Sequence, residues 1–219
     1  MNFQLILDFL SELREHNNRD WFEANRSRYL EAKTIFEEIV QEFIHEISSF
    51  DSRLGGVEAK KCTFRIFRDV RFSKDKSPYK INFGASMADG GRKSVNPSYY
   101  IHLQPGGDCF LGGGLYHPEP DNLKKVRQEI DYNAKDFLGI VEDKAFRKQF
   151  GEMWGERLKR PPKGYEADNP VIEYLKMKDF VVLHRLADDE VIKPGFLKKG
   201  AGVYKKLKPL NDFLVAAMD

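Results

Sequence analysis

The residues best suited to chemistry gather in one stretch, Lys60 to Lys80. It carries Lys60, Lys61, Arg65, Arg68, Arg71, Lys74, Lys76 and Lys80, opposed only by Asp69 and Asp75. Its local charge is therefore +6, in a chain whose net charge is +2. With 36 basic and 34 acidic residues overall, any function based on positive charge must rest on such local clustering. If the stretch is extended, Arg65, Asp69 and Arg71 share one side. Two guanidiniums there can grip a phosphate or carboxylate bidentately, with Asp69 orienting one of them. The same three residues also suit an Arg–Asp brace holding the sheet to a helix, which is a common structural device. Lys74, Lys76 and Lys80 surround the Ser77-Pro78 turn, where they suit either phosphate contacts or a solvated surface. Tyr79 lies beside them, as a ligand-lining ring or as a core aromatic under the turn.

Three further groups invite chemistry. Tyr100 and His102 are two residues apart on an expected strand and so point the same way; a histidine beside a tyrosine can exchange protons near neutral pH, or simply pack. Gly112-Gly113-Gly114 falls late in another strand, where glycine marks the close approach of a backbone or ligand. Glu119 and Asp121 stand near the next helix N-terminus and would repel an anion, and there is no G-x-x-x-x-G-K-[ST] pattern. Gly113 is therefore expected to form a floor, not a phosphate loop. Arg157, Lys159, Arg160 and Lys163, with Trp154 and Tyr165, form a second basic–aromatic cluster. It suits single-stranded nucleic acid or an ordinary anchored loop.

Metal and cofactor chemistry find no support. The five histidines show no H-x-H or H-x-x-x-H spacing, and the two cysteines, Cys62 and Cys109, stand far apart with no C-x-x-C. No cofactor is called for. No stretch approaches the roughly 18 uninterrupted apolar residues of a membrane span, and no signal peptide is recognisable. A cytoplasmic, non-membrane protein is expected.

The elements that must position these residues follow from period and punctuation. Phe3, Ile6, Leu10 and Leu13 mark a first helix. Asp20 with Glu23 resembles a capping pair opening a long helix over Trp21–Ser48. Thr63–Phe72 alternates, with Phe64, Ile66, Val70 and Phe72 on one face. This predicts a strand with a bulge near Arg68, which falls on the apolar side. Further strands are expected at Ile81–Met87, Ser98–Gln104, Cys109–Tyr116 and Phe180–Leu186. A hairpin signal stands at Pro105-Gly106-Gly107-Asp108. Helices follow Pro118 and close the chain from about Pro194. The expected fold is α+β, residues 1–219 forming one domain: a mainly antiparallel sheet of about five strands, an N-terminal helical hairpin, and C-terminal helices packed on it.

Phe64 to Lys80 reads FRIFRDVRFSKDKSPYK. The run R-I-x-R-D-x-R-F-S-x-D-K-S-P-Y-K resembles the signature of the bacterial and fungal family called domain of unknown function 2461. Asn17-Asn18-Arg19-Asp20-Trp21-Phe22, Tyr99–Leu103, Gly112–Tyr116 and Leu158–Tyr165 resemble further elements of it, so the resemblance spans nearly the whole chain. It implies one conserved domain and supplies no reaction and no catalytic residues. The expectation from the residues is binding of a phosphate-bearing small molecule or nucleic acid through Arg65, Arg68, Asp69, Arg71, Lys74, Lys76, Tyr79 and Lys80, with Tyr100, His102 and Gly113 nearby. The alternatives are an enzyme acting on a phosphorylated or carboxylated substrate, and a protein-interaction module.

Overall fold

The computed structural model describes all 219 residues. Helix α1 (Phe3–Glu15) opens where the Asn2 side chain accepts a hydrogen bond from the Leu5 N–H, and it buries Ile6, Leu7, Phe9, Leu10 and Leu13. The long helix expected over Trp21–Ser48 is two helices, α2 (Arg19–Ala24) and α3 (Arg26–Ser48). Asn18, not Asp20, caps α2, its side chain accepting from the Trp21 N–H. Asn25 makes the break. Its side-chain amide donates to the Trp21 carbonyl at 2.9 Å while its oxygen accepts from Arg28, local bonding of the kind that lets asparagine interrupt a helix.

A short helix α4 (Ala59–Cys62) precedes the sheet, whose strands are β1 (Phe83–Met87), β2 (Ser98–Leu103), β3 (Cys109–Leu115) and β4 (Phe180–Leu186). They run antiparallel in the order β1-β2-β3-β4. The sheet thus has four strands, not five. The expected strand over Thr63–Phe72 is an extended loop held by two isolated bridges, Thr63 to Ala85 and Phe67 to Tyr79. Only Ile66 of its expected apolar face is buried, and Phe72 is 96% exposed. The alternation reflected one buried anchor and a row of exposed charges, not a face on the core.

Between β3 and β4 run α5 (Pro120–Tyr132), α6 (Ala134–Val141), α7 (Lys144–Phe150) and α8 (Ile172–Leu175); α9 (Asp188–Ile192) and α10 (Phe196–Met218) end the chain. One sheet face carries Tyr99, Ile101, Leu103, Cys109 and Leu111, all buried. Helix α10 packs across β3 on that face and α3 packs against β1, with α1 on α3. The core of 49 buried residues reaches from Phe3 to Ala217. Cys62 and Cys109 lie in it as free thiols, and burial pushes both up to about 11. No helix is long and apolar enough to cross a membrane.

One polar network ties sheet to helices. Asp51, 4% exposed, accepts from the Tyr99 hydroxyl at 2.8 Å and from Arg53 at 2.6 Å, and Arg53 also reaches Asp212 at 2.6 Å. Burial opposes ionisation of Asp51, but the bonds from Arg53 and Tyr99 outweigh it and hold the carboxyl below the usual range. A carboxyl lowered in the fold adds stability above its unfolded pKa of about 4, and that stability is lost as pH falls through the folded value. Asp51→Ala should therefore cost about 2–3 kcal/mol in urea unfolding at pH 7. The deficit relative to wild type should shrink below about pH 4.

Candidate functional site

The site is built on the sheet face that the helices leave bare. Register places Ser86, Tyr100 and Gly112 side by side on it, then Gly84, His102 and Phe110, then Ser98, Gly114 and Val181. Ser86, Ser98, Tyr100, His102, Phe110, Gly114 and Val181 floor a groove of about 640 Å³, whose walls include Phe64, Lys80, Arg92, Lys93, Tyr116, His117, Trp154 and one carboxylate, Glu119.

The glycines keep the floor low. A Cβ on Gly84 would sit 2.4 Å from the Tyr100 hydroxyl, so the phenol ring extends over Gly84 in the neighbouring strand. A Cβ on Gly112 would meet the Val182 carbonyl at 2.4 Å and Leu183 at 3.0 Å. Gly114 has φ +112 and no room at all, with the Phe180 carbonyl 2.0 Å from a Cβ. Gly113 alternates inward. Its absent side chain makes way for Leu207 of α10, and only its backbone lines the groove.

His102 stacks on Phe110 with ring centroids 4.7 Å apart. Gln104 donates its amide to Asp108 at 3.0 Å, which turns its oxygen toward His102 Nε2 at 3.2 Å. Nε2 therefore carries the hydrogen and donates to Gln104. The Nδ1 lone pair is left facing the Asn82 amide at 3.4 Å and the Tyr100 hydroxyl at 3.5 Å. Burial lowers the His102 pKa and pushes Tyr100 up to about 12, so both rings are neutral near pH 7.

The far end of the groove is knotted by Asp179, 1% exposed. Its carboxylate accepts from the His117 N–H at 2.7 Å and the Glu156 N–H at 3.4 Å, and the His117 ring nitrogen approaches it at 3.2 Å. His117 is the one non-glycine residue with positive φ, at 47°. This knot joins the loop after β3 to the loop before α8. Tyr116 and Trp154 thereby come together with centroids 6.4 Å apart and planes at 29°, both rings more than half exposed.

The side chains of the basic stretch do not converge on the groove. Arg68 turns into its own loop, bonding Asp75, the Ser77 carbonyl and the Ser73 hydroxyl. Arg71 and Asp69 form an exposed pair at 2.7 Å. Lys76 donates to the Val70 carbonyl, and Lys74 is exposed. Tyr79 is a core ring, stacked on Phe22 at 3.9 Å, with its backbone held by Asn17. Of that stretch only Phe64 and Lys80 line the groove, Lys80 lying 5.5 Å over the Phe64 ring. Its pKa is lowered by burial and by Arg65. Tyr100, His102 and Gly113 do meet there.

Sequence reasoning missed Arg92, Lys93, Phe110, Tyr116 and His117 as groove residues, and had placed Trp154 in a separate cluster. The hairpin turn after Gln104 carried a usable signal for Phe110, because it sets Phe110 opposite His102. The loop residues had none, since a buried aspartate 25 residues beyond Trp154 brings them together. No group of three or more His, Cys, Asp or Glu residues could hold a metal ion.

Gly84→Ala tests how the floor positions Tyr100. The atom in the way is the end of a side chain, so stability should change little. The displaced phenol should expose His102 and raise its pKa toward 6.5, read by NMR titration of the ring.

No curated protein and no solved structure matches the chain. The family model described as conserved hypothetical protein (DUF2461) matches residues 5–213 of the 219, and the chain belongs to that family.

Proposed function

We propose that the groove on the open sheet face binds a phosphate-bearing ligand. The observation that carries this is the state of its cations. Lys80, Arg92 and Lys93 stand at one flank of the groove and none is ion-paired, whereas Lys61, Arg68 and Arg71 outside it each hold a carboxylate. An unpaired cation cluster over a partly desolvated floor attracts an anion more strongly than the same charges neutralised in solvent. Arg92 Nη1 donates to the Lys60 and Lys61 carbonyls, which holds the guanidinium at the rim with its other N–H groups unbonded. Ser86, Ser98 and Asn96 supply neutral donors nearby. The groove volume is within the usual range for small-ligand sites.

Titration calorimetry with pyrophosphate and ATP at low salt tests it. Arg92→Glu and Lys93→Glu should each weaken binding about tenfold or more, roughly 1.4 kcal/mol. Arg71→Ala, which removes a cation already paired with Asp69, should stay within about twofold. The reverse ranking would return the site to the 60–80 loop.

One observation favours a second reading, an enzyme acting on a phosphorylated or carboxylated substrate. His102 lines the groove as a neutral ring, its Nδ1 lone pair beside the Tyr100 hydroxyl and the Asn82 amide, an arrangement that lets Nδ1 exchange a proton with the Tyr100 hydroxyl. Turnover would then be lost in His102→Gln. Its rise with pH would fall below the usual histidine value of 6.5, because burial lowers this one.

A further inference from the structure

Resting on that reading, we infer that the phosphate-bearing ligand is single-stranded nucleic acid, laid across the sheet from the β1 edge to the β4 edge. Three features point beyond a mononucleotide. The groove spans all four strands, three gaps of about 4.8 Å, and so offers a track of about 15 Å before its flanks are counted. Its two ends differ in chemistry and are both provided for. Free cations stand at one end, and the exposed Tyr116 and Trp154 rings stand at the other, splayed at 29°. Bases stack on such rings whatever their identity.

The cationic surface also continues past both ends. Beyond Lys80, the loop carries the unpaired Arg65 and Lys74 among the exposed rings of Phe67 and Phe72. Beyond Trp154, the chain runs antiparallel to the residues leading into β4, through the bridge of Arg157 to Met177, into Lys159, Arg160 and Lys163. None of these four cations is ion-paired. A small nucleotide would leave this surface unused. A strand of several nucleotides would cover it, its phosphates on the cations and its bases on the rings. Duplex DNA keeps its bases stacked inside and could not use the rings.

Asp179 is a positioning residue in this scheme. It touches no ligand, but its bonds to the His117 and Glu156 amides hold the two ring-bearing loops together.

The test is fluorescence anisotropy of the full chain with labelled 20-mers of thymidylate and uridylate, beside the same length of duplex and unlabelled ATP as competitor. The single strands should bind at least tenfold more tightly than ATP or duplex. The slope of log K against log salt should be steeper than about −2, the value for phosphate contacts to the three groove cations alone. Binding should quench Trp154 while Trp21, packed against Phe9 and His16, stays unchanged. Trp154→Ala and Tyr116→Ala should each weaken binding about tenfold, and Lys93→Glu should do the same without touching a ring. Tyr132→Ala, which removes a still more exposed ring outside the groove, should do nothing. Equal affinity for ATP and the 20-mers would overturn the inference and leave the phosphate site standing. Equal affinity for duplex would also overturn it. Failure of every probe at low salt would overturn both.

Discussion

A strand with three consecutive glycines sets the shape of this protein's open face. In β3, Gly112 and Gly114 lie so close to the carbonyls of β4 that no Cβ fits, while Gly113 admits Leu207 from below. The sheet is therefore drawn tight against α10 on one side and stripped of side chains on the other. On the bare side Tyr100 reaches over Gly84 and Leu183 lies beside Gly112, so even the large residues add little height. The hollow that results is a consequence of backbone packing in the centre of the sheet. Its rim is then supplied by loops: the stretch after α4, the turn after β1, and the two loops that Asp179 ties together.

The basic stretch that dominates the sequence takes on a different role in this frame. Two of its arginines are neutralised by aspartates within the stretch, and its tyrosine belongs to the core. Arg68 holds the Asp75–Ser77 turn in shape much as a cap holds a helix end. What the loop presents to the groove is its two ends, Phe64 and Lys80, brought together by the hydrogen bond from the Lys80 N–H to the Ile66 carbonyl at 2.8 Å. Charge density along a sequence did not separate the paired cations of the stretch from the unpaired ones. The counting that matters includes carboxylates that the fold brings alongside.

Much of the fold was legible because its signals were local. The hairpin turn at Pro105–Asp108 and the run Phe180–Leu186 mark strands that the structure has almost residue for residue. The failures were also local in origin. Thr63–Phe72 alternates like a strand, but a strand needs a partner along its length, and this segment meets β1 only at its start. Asn25 split a helix whose apolar stripe continues across the break. In the site, Tyr100 and His102 could be paired from a period of two. The meeting of Tyr116 with Trp154, and the placing of Lys80 and Arg92 on one groove, depend on contacts between distant parts of the chain that no spacing encodes.

The central claim is that phosphate chemistry is recognised on the sheet face and not on the loop that first drew attention. Backbone amide chemical shifts of the labelled protein, followed during titration with pyrophosphate, address it directly. The account predicts saturable shifts at Ser86, Arg92, Lys93, Ser98 and Tyr100, with Asp69 to Lys76 nearly still. Saturable shifts confined to Asp69–Lys76, or none on the sheet face at any concentration, would contradict it.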